Sequence, residues 1–159
     1  MQYIIEDTRQ KAEHHDLKHK HFAMVGVELI RCKLPFGDYS RPPRVAIDTK
    51  ENMDEICGNI CGKEHKRFVN ECKLAQAAGC QLIILVENEC NISDLSQVHT
   101  WVNPRVIYSP KCTQGPQLQR AMETLQSRYG VLFYFCRPIE AGQKILELLE
   151  LYDGGKDNS

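Results

Sequence analysis

Asp38, Asp48, Lys50 and Asp54 fall within one short span, F-G-D-Y-S-R-P-P-R-V-A-I-D-T-K-E-N-M-D from Phe36 to Asp54. In a strand, every second side chain faces the same way. Val45-Ala46-Ile47-Asp48-Thr49-Lys50 therefore places Ala46, Asp48 and Lys50 on one face and Val45, Ile47 and Thr49 on the other. A carboxylate and an ammonium then point to the same side at the end of an apolar strand. Asp38 closes the preceding strand after Gly37 and can approach Asp48 across a hairpin, while Asp54 follows Lys50 by about one helical turn. Carboxylates gathered beside a lysine suit a hard divalent cation, which takes oxygen ligands. The lysine can hold an attacking water or an anionic substrate oxygen. The same residues also suit a blander arrangement, the exposed face of a half-buried strand, because D-x-K alone is a weak pattern.

The elements that must position these residues can be read from local pattern. Ser40-Arg41-Pro42-Pro43 reads as a turn, since proline cannot donate to a ladder. Gln2 to Glu6 is a short apolar strand. Thr8 is expected to cap a helix from Arg9 to about Met24, with Ala12, His15 or Leu17, Phe22 and Ala23 inward. The surface of that helix carries Lys11, His14, His15, Lys18, His19 and Lys20, either a solvated face or a phosphate-tracking one. Residues 27–33 alternate as a strand. A helix follows from Asn52 to about Ile60, and a second from Lys63 to Ala78, stopped at Gly79. Residues 80–87, C-Q-L-I-I-L-V-E, form a continuous apolar run, as a strand buried on both faces should. A polar connection follows, with Trp101 as a packing anchor and residues 105–108 as a short edge strand. Helices over 115–128 and 140–152 flank a strand over 131–136. This order predicts an α/β domain with a mixed central sheet flanked by helices.

At 159 residues the chain is long enough for one sizeable core, and residues 1–152 read as a single domain with 153–159 a disordered tail. A net charge of −1 is not the footprint of a strongly basic nucleic-acid binder. The sequence has no apolar run long enough for a membrane span, and an acidic N-terminus argues against a signal peptide. An intracellular, cytoplasmic protein is expected, with its eight cysteines acting as small hydrophobes. Cys57 and Cys61, one turn apart, lack a second close pair to complete a zinc site.

Four blocks, in order, carry a family likeness: I-I-E-D-T-R at the first strand, G-D, D-T-K-E-N-M-D, and H-K-R-F followed by L-I-I-L-V-E. The chain resembles the nuclease domain of XPF-type (ERCC4-like) endonucleases in the PD-(D/E)xK superfamily, well over residues 3–87 and in outline beyond. Its size is similar to stand-alone forms carried by phages and mobile elements. The resemblance implies a restriction-endonuclease-like fold and a Mg²⁺- or Mn²⁺-dependent DNA endonuclease, structure-selective in the larger relatives. It implies catalytic roles for Asp38, Asp48 and Lys50, with metal held by Asp38, Asp48, the Thr49 carbonyl and Asp7. Asp54, Arg9 and Glu71 would support the site. His65, Lys66, Arg67, Lys63, Lys18 and Lys20 would contact DNA, although His65 and Arg67 also suit a plain exposed helix start. The family's E-R-K is D-T-K here, so aspartate replaces glutamate and the arginine is lost. The tandem helix-hairpin-helix domain of larger relatives has no room in this sequence. A homodimer or a DNA-targeting partner protein would then supply grip. The alternatives are a non-catalytic DNA-binding or scaffold module, or an RNA-directed nuclease, since no reader of the 2′-hydroxyl is visible.

Overall fold

The computed structural model describes residues 3–41 and 44–153. Six strands form one sheet: β1 (Tyr3–Glu6), β2 (Glu28–Arg31), β3 (Tyr39–Arg41), β4 (Val45–Lys50), β5 (Gln81–Glu87) and β6 (Leu132–Cys136), in the order β2-β1-β3-β4-β5-β6. Only β3 runs against its neighbours, pairing antiparallel with β1 and β4, whereas β1–β2, β4–β5 and β5–β6 are parallel. The carboxyl ends of β1, β4 and β5 therefore share one edge of the sheet, where ligands of open α/β folds collect.

Helices cover both faces. The alternation in β4 decides what each strand residue meets. Ala46, with Leu82, Ile84 and Val86 of β5, packs under α2 (Met53–Cys61), α3 (His65–Ala77) and α4 (Gly115–Tyr129). Val45 and Ile47, with Ile83 and Leu85, pack under α1 (Asp16–Met24) and α5 (Ala141–Asp153). Asp48 and Lys50 continue the Ala46 side, so they emerge on the face shared with α2 and α3. The continuous apolar run of β5 is buried on both faces, as its composition requires.

Several expectations change. The first helix starts at Asp16, not Arg9, and Thr8 caps nothing. Asp7 holds the chain in turns instead, its carbonyl accepting from the Gln10 amide at 3.1 Å. On α1 the buried side chains are Lys18 and Phe22, with His15 buried just before it, while Leu17 and Ala23 are exposed. Residues 104–107 form a short 3₁₀ turn, not an edge strand. Cys32, Cys61 and Cys90 are exposed, so only part of the cysteine set is core. Asp38 precedes β3 in a loop; Ser40 and Arg41, expected in the turn, instead pair with Ala46 and Val45 as part of β3, while Pro42, Pro43 and residues 154–159 of the tail lie outside the described residues.

Candidate active site

Gly37 makes the approach of Asp38 to β4 possible. It adopts φ +76°, and a β-carbon there would meet Ala46 Cβ at 3.1 Å and the Ile47 carbonyl oxygen at 3.2 Å. Its freedom lets the Asp38 amide donate to the Ile47 carbonyl at 2.6 Å. The Asp38 carboxylate then accepts from both the Thr49 amide and the Thr49 hydroxyl, each at 2.7 Å, and from the Gln10 side-chain amide. Two residues on, Lys50 Nζ lies 3.1 Å from Asp48 Oδ2, and both side chains are nearly buried. Glu71 arrives from α3 and accepts from the Gly37 amide at 3.2 Å.

These groups line a cleft of about 500 Å³ whose walls include Asp7, Arg9, Gln10, Glu55 and Arg67. Phe36, Phe68 and Leu74 give it an apolar side. Arg9 donates to Asp7 and to the Leu34 carbonyl, both at 2.7 Å, and the Leu34 amide donates to the other Asp7 oxygen at 2.9 Å. Asp7 is thus the clamp that fixes the loop before Asp38, with both oxygens engaged.

The other predicted residues separate from this group. Asp54 turns away and pairs with Arg105 at 3.3 Å, while its neighbour Glu55 faces the cleft. His65 donates a ring N–H to the Ile60 carbonyl at 2.6 Å, closing the turn between α2 and α3. Lys63 and Lys66 are exposed outside the cleft, Arg67 lines it, and exposed Lys20 pairs with Asp16 at 3.6 Å. Lys18 is a correction. It is 4% exposed and forms a 2.7 Å ion pair with buried Glu87, so it is not on the exposed helix surface; the pair lines a second cavity, of about 310 Å³, beside Asp38, Asp48 and Lys50.

His15 and His19 also turn toward the sheet, whereas His14 stays exposed and pairs with Glu51 at 2.9 Å. Tyr39 donates its hydroxyl to Glu6 at 2.9 Å and accepts the His15 Nδ1–H at 2.8 Å. His19 Nε2 lies 2.5 Å from the same Glu6 oxygen, and Arg31 pairs with the other at 3.2 Å. Buried His15 and half-buried His19 therefore join a polar layer around Glu6 and Tyr39. Gln10 and Glu55 are site residues that motif reading overlooks, because neither lies at a motif position.

The sequence profile of the ERCC4 domain matches residues 6–149. The chain belongs to the ERCC4-domain family. Among solved structures, XPF from Aeropyrum pernix in complex with DNA matches with a TM-score of 0.69 and 19% identity, over 100% of this chain and 68% of that one. A second structure of XPF from Aeropyrum pernix matches with a TM-score of 0.65 and 18% identity, over 94% and 64%. The chain thus spans about two thirds of those relatives and shares their fold over that part. No curated protein matches in sequence. Among the described residues of this ERCC4 domain, no helix is long and apolar enough to cross a membrane.

The electrostatics of the ERCC4-domain cleft follow from crowding. Burial, then the Asp48 charge, pushes the Asp38 carboxyl well above the usual range despite the opposing Thr49 hydrogen bonds. Burial and Asp48 likewise push Glu71 up to about 7. Burial alone would lower Lys50, but Asp48 outweighs it and the net shift is upward, so Lys50 is a fixed cation. Burial, aided by Lys18, depresses His15 to about 4.

These shifts pull stability in opposite directions. A raised carboxyl binds more protons folded than unfolded, so Glu71 costs stability as pH rises from about 4.5 to about 7. A depressed histidine does the reverse, so His15 adds stability as pH rises from about 4 to about 6.5. Asp38 and Glu87, also raised, act in the same direction as Glu71, so in the wild type free of divalent ions His15 opposes three carboxyls. Glu71→Gln should remove one of those costs, so its Tm should gain on the wild type as pH rises from about 4.5 to about 7. Thermal melts at half-unit intervals check this; parallel profiles for the two proteins would refute the assignment.

Proposed function

We propose that this ERCC4 domain is a metal-dependent endodeoxyribonuclease. One observation carries the reading: Asp38, Asp48 and Lys50 meet in an acidic cleft at the carboxyl end of a central strand, in a domain of the ERCC4 family. Two repelling carboxylates beside a cleft suit Mg²⁺ or Mn²⁺. Among the described residues no group of three or more His, Cys, Asp or Glu is arranged to hold an ion. Mg²⁺ does not need one, since it binds through one or two carboxylates and completes its shell with water and phosphate oxygens. Asp38 and Asp48 would hold the ion, with the Thr49 carbonyl as a further oxygen. Asp7, held by Arg9 and the Leu34 amide, would support the loop before Asp38. The ion, when bound, supplies a water of lowered pKa and positive charge for the phosphate oxygens.

The chain's own groups do the rest. Lys50 remains protonated, so it orients an anionic oxygen and neutralises charge and does not accept a proton. Thr49 fixes Asp38 through two hydrogen bonds. Arg67 and Arg9 stand at the cleft wall, where a phosphate backbone would enter. The fold shared with an XPF that was solved in complex with DNA supports DNA as the polymer.

The test is incubation of the protein with single-stranded, duplex, flap and four-way DNA, and with RNA, in Mg²⁺ or Mn²⁺. DNA cutting that is abolished by chelator is the expected result. Binding without cutting in either ion would give the scaffold reading, and preferential RNA cutting the RNA reading.

Salt dependence checks the DNA contacts. Each phosphate contact on B-DNA contributes about 0.9 to the slope of log affinity against log salt. Neutralising Lys66 and Arg67 together should reduce that slope by up to roughly 1.8 and weaken all sequences alike. Unchanged slopes in Ca²⁺ would place the DNA elsewhere.

A further inference from the structure

Between Asp94 and Glu123 the chain contains no acidic residue, yet it carries Arg105, Lys111 and Arg120. In a protein of net charge −1, this is the longest stretch of one sign. It includes a segment that holds three large apolar side chains in water: Val102 at 69% exposed, Ile107 at 87% and Tyr108 at 77%.

The exposure is built into the loop. Trp101, at 6% exposed, anchors one end in the core. Asn103, at 2% exposed, accepts from the Arg105 amide at 3.0 Å and donates to the Thr113 carbonyl at 2.8 Å. Its own amide donates to Gln114 Oε1 at 3.0 Å. The Tyr108 and Ser109 amides both return to the Arg105 carbonyl, at 3.1 and 2.7 Å. Gly115 permits the closure: a β-carbon there would stand 2.6 Å from the Val98 and Trp101 carbonyl oxygens. The loop is then tied to the head of α2 by the Arg105–Asp54 pair, and the next residue on α2, Glu55, faces the cleft.

A braced loop that offers a tyrosine and aliphatic groups amid cations has the chemistry of a base-stacking platform. Every base has a π-face, and cations nearby track the phosphates. A duplex hides its base faces in the stack, so the occupant must present unpaired bases. We infer that the Val102–Tyr108 loop binds unpaired nucleotides of the strand whose backbone enters the cleft, through Tyr108 and Ile107, with Arg105 and Lys111 on its phosphates. This rests on the nucleic-acid reading of the cleft.

The experiment measures fluorescence anisotropy of labelled single-stranded, blunt duplex and forked oligonucleotides with the full chain in Ca²⁺, alongside cleavage in Mg²⁺. Tyr108→Ala should weaken single-strand and fork binding on the order of tenfold, since stacking one base is worth about that much. Tyr108→Phe should retain it, and duplex binding should change little. Ile107→Ser/Tyr108→Ser should lose more than the single variant. Equal single-strand affinity in wild type and the double variant would overturn the inference. So would sedimentation showing a wild-type dimer that the double variant dissolves with DNA affinity unchanged, which would make the occupant a second copy. Tyr108-dependent binding by a protein that cuts nothing would sink the catalytic reading and leave this one standing. Cutting and binding that ignore Tyr108 would do the opposite.

Discussion

Asp48→Asn should lower DNA cleavage by at least about 10²–10³-fold, the usual cost of losing one group that stabilises developing charge. The domain should stay folded. Asp48 is nearly buried, its charge raises both Asp38 and Glu71, and Lys50 pairs with it. Removing that charge relieves the crowding of Asp38 and Glu71 but takes the ion-pair partner from nearly buried Lys50, so the two effects on Tm oppose each other. The same change removes an oxygen ligand, so the rise in Tm that Mn²⁺ gives the wild type by binding the native state should shrink or vanish. Lys50→Ala should lose comparable activity for a different reason. The ion site survives, but the cation that holds an anionic oxygen is gone, and Asp48 is left without its partner. Calorimetric Mn²⁺ binding separates the two variants: weakened in Asp48→Asn, retained or strengthened in Lys50→Ala. Cleavage at the wild-type rate by either folded variant would show that the chemistry lies elsewhere.

The second large effect concerns stability. Lys18→Met should destabilise the domain by about 3–5 kcal/mol, the cost of leaving one partner of a buried ion pair alone. For a domain of this size that corresponds to a fall in Tm of roughly 10 °C. The pair is short at 2.7 Å, with side chains only 5% and 7% exposed. Burial already raises the Glu87 carboxyl, with Lys18 as the main opposing charge. Without Lys18 that carboxyl should rise further, so the loss should be smaller at pH 5 than at pH 8. Lys18→Met/Glu87→Leu should recover most of the stability, because an apolar pair of similar volume is often as stable as the ion pair it replaces. Chemical denaturation of the three proteins at both pH values checks this. A single variant within 1 kcal/mol of wild type would mean that Lys18 reaches solvent.

The elements that chain-local geometry controls were legible from the residues alone. The alternation of Val45 to Lys50 put Ala46, Asp48 and Lys50 on one face before any partner was known, because the pleat fixes that period within the strand itself. The unbroken apolar run of β5 declared a strand covered on both sides for a similar reason. The G-D and D-T-K blocks located Asp38, Asp48 and Lys50, and those are the residues the fold brings together.

What the tertiary structure decided is which polar side chains look inward. On α2 the apolar residues Met53, Ile56, Cys57 and Ile60 form the buried stripe. Asp54 and Glu55 sit on opposite flanks of it, about 100° apart around the helix. The stripe alone does not say which flank meets the cleft, and the packing of α2 beside α3 chose Glu55. Lys18, His15 and His19 read locally as a basic, solvated face. Their fate depends on Glu87, Tyr39 and Glu6, buried acceptors delivered by distant strands. A long polar side chain is buried when a partner satisfies it and exposed when none does. That partner belongs to the assembled fold, and no local pattern names it.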